Sequence, residues 1–256
     1  MKVAILAGGM GTRLAEETEI RPKPMVEVGG YPILWHILRH YDHFGFNEFV
    51  IALGYKGDHI RRYFAEYFTN ASNLRVDLSK GLAQTHGGGP TESWLIDLIE
   101  TGRDTNTGGR IGRLAPYVGD ETFMLTWGDG VSNVDLTRLV DFHRSHGRLA
   151  TVTAVHPPPR IGQIEVENNR VRDFSVKPLA KSWINGAFFV LEPGIFEYIV
   201  GDHTPWEKDP LERLAKDRQL MAYRHEGFWQ CMDTVRDKNH LESLWQSGDA
   251  PWKIWS

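Results

Sequence analysis

The sequence predicts an α/β fold: a Rossmann-like three-layer sandwich, with a mostly parallel mixed sheet between helices on both faces and a small β-rich insertion. Three observations predict it. Short continuous apolar runs, the pattern that two-sided burial gives parallel strands, alternate with amphipathic segments of helical period. That alternation holds as far as residue 155, as a parallel sheet covered by helices requires. After Pro157-Pro158-Pro159 it gives way to short paired apolar runs around Asn168-Asn169, a hairpin signature.

Taken in order, Val3 to Ala7 is the first buried strand. From Pro32, Ile33, Leu34, Ile37, Leu38, Tyr41 and Phe44 recur at helical spacing, and Gly45 ends the run. Phe49 to Leu53 reads as the second strand. Ile60, Tyr63, Phe64, Tyr67 and Phe68 mark the next helix. His86 to Pro90 reads as either a plain linker or an active-site flap. Thr107 to Arg110 opens a helix carrying Ile111, Leu114 and Ala115. Phe123 to Trp127 is a strand ending in Gly128-Asp129-Gly130, and Leu136, Leu139, Val140 and His143 lie on a helix. Ala150 to Val155 is a strand, and Ile164 to Val166 and Val171 to Phe174 flank the hairpin turn. Ala187 to Leu191 is a further strand, and Leu241, Leu244 and Trp245 belong to the closing helix.

A chain of 256 residues holds one large α/β domain or two small ones. The reading here is one domain, with residues 1–155 as one part and 156–256 as the other. The net charge of −4 and the lack of a basic stripe disfavour nucleic acid as partner. No run approaches the ~20 apolar residues of a membrane span, which leaves a cytoplasmic enzyme with no membrane partner as the expectation. Cys231 is alone, so neither an internal disulfide nor a cysteine-built zinc cage is available.

The loop after the first strand is Leu6-Ala7-Gly8-Gly9-Met10-Gly11-Thr12-Arg13-Leu14. Its glycines let backbone amides approach a phosphate closely, although they also suit a plain tight turn. A dinucleotide fingerprint beginning at Gly9 fails at Leu14, and a Walker loop lacks its Gly-Lys-Ser/Thr. Arg13 can fork two phosphate oxygens, and Lys23 stands between Pro22 and Pro24 on a stiffened backbone. Asp129 follows an apolar strand between two glycines, where α/β sheets collect ligands and where Mg²⁺ can meet phosphate; the other reading is a turn aspartate. Asp233 reads as a helix cap or as a second carboxylate.

The first loop, with Pro22-Lys23-Pro24-Met25-Val26-Glu27, resembles the signature of the sugar-phosphate nucleotidyltransferases. Thr107-Gly108-Gly109-Arg110, Gly128-Asp129-Gly130, Ile184-Asn185-Gly186, Gly227-Phe228-Trp229-Gln230 and Ala250-Pro251-Trp252-Lys253 extend the resemblance from Met1 to about Trp255 and point to the cytidylyl branch. The resemblance implies Mg²⁺-assisted transfer from CTP to glucose 1-phosphate, giving CDP-glucose and pyrophosphate. It implies metal ligation by Asp129 and Asp233 and catalytic roles for Lys23 and Arg13. Nucleotide contacts are implied from Leu6, Gly8, Gly9, Met10, Gly11, Thr12, Arg13, Lys23, Thr107, Gly109, Arg110, Gly128 and Asp129. Arg110 would donate to the cytosine carbonyl, with the base against the Thr107 to Arg110 glycines.

The sugar phosphate would meet Lys177, Asn185 and Gly186, making residues 156–256 the sugar-phosphate part and its β-rich insertion the sugar-binding one. Here the chain departs from the family's Glu-Lys-Pro: Val176 cannot accept a bond from a sugar hydroxyl, so a different acceptor stays open. UTP or dTTP in place of CTP, or a non-catalytic sensing module on the same fold, are the other readings. The resemblance also implies a homo-oligomer, a hexamer or smaller. Trp252 and Trp255 are expected to dock on the domain or on a neighbouring subunit.

Overall fold

The computed structural model describes residues 1–11, 14–157, 163–167, 170–175 and 182–255, excluding the side chains of 15, 16 and 158–181. The chain opens with β1 (Val3–Leu6), a short helix α1 (Ala15–Thr18), a 3-10 turn (Lys23–Met25) and the small ladder of β2 (Glu27–Val28) and β3 (Tyr31–Pro32). Next come α2 (Ile33–His43), β4 (Glu48–Leu53) and α3 (Gly57–Ala71). A hairpin of β5 (Ser72–Asp77) and β6 (Leu82–Gly88) precedes β7 (Leu95–Glu100) and α4 (Thr107–Val118). Then follow β8 (Phe123–Trp127), β9 (Gly130–Ser132), α5 (Leu136–His146) and β10 (Ala150–Val155). The second part holds β11 (Gln163–Glu167), β12 (Arg170–Ser175), β13 (Ile184–Leu191), α6 (Asp209–Lys216), β14 (Leu220–His225), β15 (Trp229–Cys231) and α7 (Val235–Gln246).

Seven strands form one sheet in the order β14-β10-β13-β8-β1-β4-β7. Its β1–β4, β1–β8, β4–β7 and β10–β14 pairings are parallel, and β13 runs against both neighbours. The chain adds β4 and β7 on one side of β1 and returns to place β8 on the other. β1 is thus the switch point, and a crevice opens at its carboxyl end. Strands from both parts of the chain share this sheet.

Continuous apolar runs follow from burial on both faces. Val3, Ile5, Phe49 and Ile51 point into one core with α2, α5 and α7. Ala4, Leu6, Val50 and Ala52 point into a second core with α4 and α6. β11 and β12 pair antiparallel as expected, and the Asn168-Asn169 turn between them lies outside the described residues. Of His86 to Pro90, read as a linker or a flap, His86 to Gly88 end the strand β6 paired with β5, while Gly89 and Pro90 begin the connection to β7; none of the five lines the β1 crevice.

The carboxyl-terminal tryptophans dock on their own domain. Trp252 is 1% exposed, stacks on Phe228 at 5.6 Å, and donates through Nε1 to His36 Nδ1 at 3.3 Å. His36 Nε2–H in turn donates to the Val28 carbonyl at 2.8 Å, and accepting at Nδ1 while donating at Nε2 requires the neutral ring. Burial lowers the His36 pKa to about 4. The unfolded chain therefore binds the proton first. This histidine's contribution is complete above its ordinary value of 6.5 and is lost as the pH falls towards about 4. The loss is expected to be on the order of 3 kcal/mol. Urea midpoints near neutral pH and near pH 4 check it, and His36→Asn should flatten the difference.

Candidate active site

The crevice at the end of β1 is a cleft of about 440 Å³. Leu6 to Gly11, Lys23, Gly128, Asp129 and Asp233 line it, together with residues 103–107 and Arg110. Four segments far apart in sequence thus meet the glycine loop.

The loop holds its shape through its neighbours. The Gly8 carbonyl accepts from Tyr55 N at 3.2 Å and from Arg110 Nη2 at 3.0 Å. This approach requires Gly54, where a Cβ would stand 2.8 Å from the Gly8 oxygen. Gly11 turns the chain at φ +63, and its carbonyl accepts from Thr18 Oγ1 at 3.2 Å. Gly9 and Met10 are exposed along the cleft, where a ligand can reach them. Gly128 closes the floor: its amide donates to the Leu6 carbonyl at 2.9 Å. Thr12 and Arg13 lie outside the described residues.

Asp129 and Asp233 are brought together by backbone pairing. β9 and β15 run antiparallel, with Gly130 opposite Cys231, and the Met232 amide donates to the Asp129 carbonyl at 2.8 Å. Asp233 does not cap α7. Thr234 and Asp237 form that capping box, and the Asp237 carboxylate also accepts from the Asp233 amide at 3.1 Å. The cap therefore fixes the backbone of residue 233 and leaves its carboxylate turned to the cleft.

Between the two carboxylates stands Lys23, presented by the 3-10 turn after Pro22. Its Nζ donates to Asp129 Oδ2 at 2.5 Å and to Asp233 Oδ1 at 2.6 Å. Burial alone would lower the Lys23 pKa, but the two carboxylates outweigh it and the value is raised. The ammonium is held charged. One cation already sits where two carboxylates converge, so the pair also suits Mg²⁺, which takes one or two carboxylates and completes its shell with substrate phosphate and water. No third histidine, cysteine or carboxylate joins them among the described residues. This set fits a substrate-bridged ion, not an all-protein cage.

The opposite wall departs from expectation. Arg110 is 5% exposed, and its Nη atoms donate to Leu53 O, Thr101 Oγ1, Gly102 O, Gly8 O and Arg103 O. Burial lowers its pKa. Instead of extending to a cytosine carbonyl, the guanidinium ties the glycine loop to the loop before α4. Nor do the α4 glycines leave room for a base. The Gly108 amide donates to Thr204 O at 2.9 Å, and a Cβ there would stand 2.6 Å from that oxygen. A Cβ at Gly109 would collide with the backbone of Asp202. Thr107 Oγ1 donates to Glu207 Oε2 at 2.6 Å and accepts from Trp206 N at 2.8 Å. These residues seat the 202–207 segment. Arg103 to Asn106 extend the cleft wall that Thr107 and Arg110 also line. Arg110→Lys keeps the charge but loses the fork, so we expect about tenfold higher KM for nucleotide with a smaller change in kcat. Steady-state kinetics on both parameters checks this.

Asn185 and Gly186 open β13 and do not line the cleft. Asn185 Oδ1 accepts from Ala187 N at 2.8 Å, and the Gly186 carbonyl accepts from Trp229 Nε1 at 2.7 Å. Lys177 lies outside the described residues, as does Val176. The cleft is also lined by Ala7, Pro24, Arg103 to Asn106 and Trp127, to which the sequence reading gave no site role; Arg103 to Asn106 form a polar run after β7, a strand the apolar periodicity did not announce.

The nucleotidyl transferase family model matches residues 2–237. The glucose-1-phosphate cytidylyltransferase of Salmonella typhi is 49% identical over 257 residues, covering 100% of both chains. The mannose-1-phosphate guanylyltransferase catalytic subunit beta of Dictyostelium discoideum is 28% identical, over 95% of this chain and 64% of that protein. In fold, the chain is similar to a UDP-glucose pyrophosphorylase solved with UDP-glucose, at TM-score 0.68 and 17% identity, covering 96% of this chain and 98% of that one.

Proposed function

The chain belongs to the nucleotidyl transferase family, and from that premise we propose that it converts CTP and α-D-glucose 1-phosphate to CDP-glucose and pyrophosphate. The choice of base and sugar is supported by the full-length similarity to the Salmonella typhi cytidylyltransferase. The observation that carries the chemistry is Lys23 held between Asp129 and Asp233 at the mouth of a glycine loop.

The attacking group is a phosphate monoester oxygen, anionic near neutral pH because its second pKa is about 6. No general base is needed. The obstacle is an anion approaching the α-phosphorus of a polyanion, so catalysis consists of positioning and charge neutralisation. Asp129 and Asp233 would hold Mg²⁺. When bound, that ion supplies positive charge at the α-phosphate. Lys23 then leaves the two carboxylates and donates to oxygens around the α-phosphorus. The amides of Met10 to Thr12, with Arg13, hold the departing pyrophosphate. Arg103 to Thr105 flank the nucleotide. Residues 1–155 supply most nucleotide contacts, and Lys177 of residues 156–256 grips the sugar phosphate. The reading carries a cytoplasmic location; no helix among the described residues is long and apolar enough to cross a membrane.

Val176 favours a second reading, the same transfer to a different sugar 1-phosphate. Pyrophosphate release measured over four nucleoside triphosphates and a panel of sugar 1-phosphates, with and without Mg²⁺, separates the two. Release with CTP and glucose 1-phosphate, dependent on Mg²⁺, is expected. Release with another sugar alone gives the second reading, and none with any pair gives a sensing module.

A further inference from the structure

The closing helix α7 does more than supply the capping box beside Asp233. Lys238 stands one turn past the cap, where its amide donates to the Thr234 carbonyl at 3.0 Å. Its side chain crosses to α1, and its Nζ donates to Glu17 Oε1, so residues 221 positions apart in sequence form an ion pair. The two side chains are 25% and 27% exposed, so most of the pair is withdrawn from water. α1 is the element that follows the glycine loop. The residue after Glu17 is Thr18, which is buried, and its Oγ1 lies 3.2 Å from the Gly11 carbonyl oxygen and 3.0 Å from that of Leu14. Gly11 is the left-handed residue at which the loop turns.

The same helix seats the segment behind Lys23. One turn beyond Lys238, and on the same face, Glu242 Oε2 accepts from the Gly29 amide at 2.7 Å. Gly29 lies in the β2–β3 turn at φ +60, and a Cβ there would stand 2.0 Å from Trp245 Nε1, so the turn rests directly on α7. β2 begins just after the 3-10 turn that presents Lys23. One helix therefore touches three parts of the site. Asp233 immediately precedes its cap, its first turn holds α1 behind the glycine loop, and its last turns seat the hairpin behind Lys23. From the other side, Lys56 Nζ donates to the Thr18 and Glu19 carbonyls at 2.9 and 2.5 Å. α1 has four residues, too few to keep a position without such partners.

We propose that Lys238 is a positioning residue for nucleotidyl transfer: through Glu17 it sets the amides of the glycine loop against Lys23, Asp129 and Asp233. The inference rests on the reading of that loop as the triphosphate site. Neither Lys238 nor Glu17 lines the cleft, so the effect is exerted through Thr18 and Gly11. An ion pair of partly exposed side chains adds little to stability. A displacement of about 1 Å in a group that grips the reacting phosphates, by contrast, can cost about 10²-fold in rate. A charge pair also leaves a signature that plain packing does not: reversing one end sets like charges face to face, and reversing both restores the attraction.

The test compares the full chain with Lys238→Met, Lys238→Glu, Glu17→Lys and the exchange Lys238→Glu/Glu17→Lys. Each is read by calorimetric binding of CTP with Mg²⁺, by kcat in pyrophosphate release, and by thermal melting. Lys238→Met is expected to weaken CTP binding about tenfold and to lower kcat about tenfold, while the melting temperature moves by no more than about 4 °C. Each single reversal is expected to lower kcat/KM for CTP about 10²-fold, and the exchange to regain about tenfold or more over either. Should Lys238→Met fail to fold, Glu17→Gln removes the same charge pair without changing its shape and is read in the same way. A folded variant with wild-type CTP binding and kcat, or an exchange no better than its single reversals, overturns the proposal. A wild type that binds no CTP overturns the reading of the loop and this inference with it, whereas wild-type binding beside unaffected variants overturns the inference alone.

Discussion

Lys23→Ala is expected to lower turnover about 10²- to 10³-fold, since one preorganised donor aimed at developing charge contributes roughly 2.7–4 kcal/mol. Three observations set this magnitude. The Lys23 side chain is 11% exposed, its ammonium is held charged by two carboxylates, and its backbone is fixed by Pro22 and the following 3-10 turn. In a water-excluded cleft such a donor does not have to reorganise when charge moves onto the phosphate oxygens. The loss should fall on kcat more than on KM, because the ammonium is engaged with Asp129 and Asp233 before the reaction and with the phosphorus centre during it. Lys23→Arg should not rescue fully, because a planar fork cannot replace a compact ammonium between these two oxygens. Steady-state kinetics with a thermal melt as the folding control decides. A stably folded Lys23→Ala protein with wild-type kcat would remove Lys23 from the chemistry.

The second large effect is expected at the carboxylates. Asp233→Asn keeps the shape but halves the charge offered to a divalent cation, and the same holds for Asp129→Asn. Each should raise the Mg²⁺ concentration required for half-maximal activity about tenfold or more and lower turnover about 10²- to 10³-fold, since charge stabilisation by a bound metal is worth several kcal/mol. The two substitutions should not add, because either one breaks the same paired site. Binding of Mn²⁺ in the presence of CTP, followed by electron paramagnetic resonance, reads the metal directly. Unaltered Mn²⁺ affinity in both variants would contradict the assignment.

Much of this site was legible in the sequence because its parts are local. The glycine run of the first loop, the proline-flanked Lys23 and the strand-terminal Asp129 each declare their geometry within a few residues, and the structure brings all three to one cleft. Asp233 was ambiguous when read alone. The neighbouring Thr234-x-x-Asp237 spacing held the answer, since a complete capping box at 234 leaves residue 233 without a capping role.

Other parts were not legible, for reasons that differ. The glycines at 108 and 109 announce a close approach but not by what, and the approaching group is the 202–204 backbone, nearly a hundred residues later in the sequence. The resemblance implied that Arg110 donates to the base. Its oxygen partners are mostly backbone carbonyls, which sequence pattern does not reveal. The β5–β6 hairpin escaped notice because the helix before it and the glycines after it dominate the local signal. Its alternation of Leu74, Val76 and Leu78 is short.

The account's central claim is that one cleft gathers the triphosphate over Lys23 while Asp129 and Asp233 share a divalent ion. A crystal grown with CTP and Mn²⁺, recorded at the manganese absorption edge, tests it most directly. The account predicts an anomalous peak bonded to oxygens of both aspartates and of the α-phosphate, with Lys23 Nζ moved off the carboxylates towards that phosphate. A peak elsewhere, or nucleotide density outside the glycine loop, would contradict it.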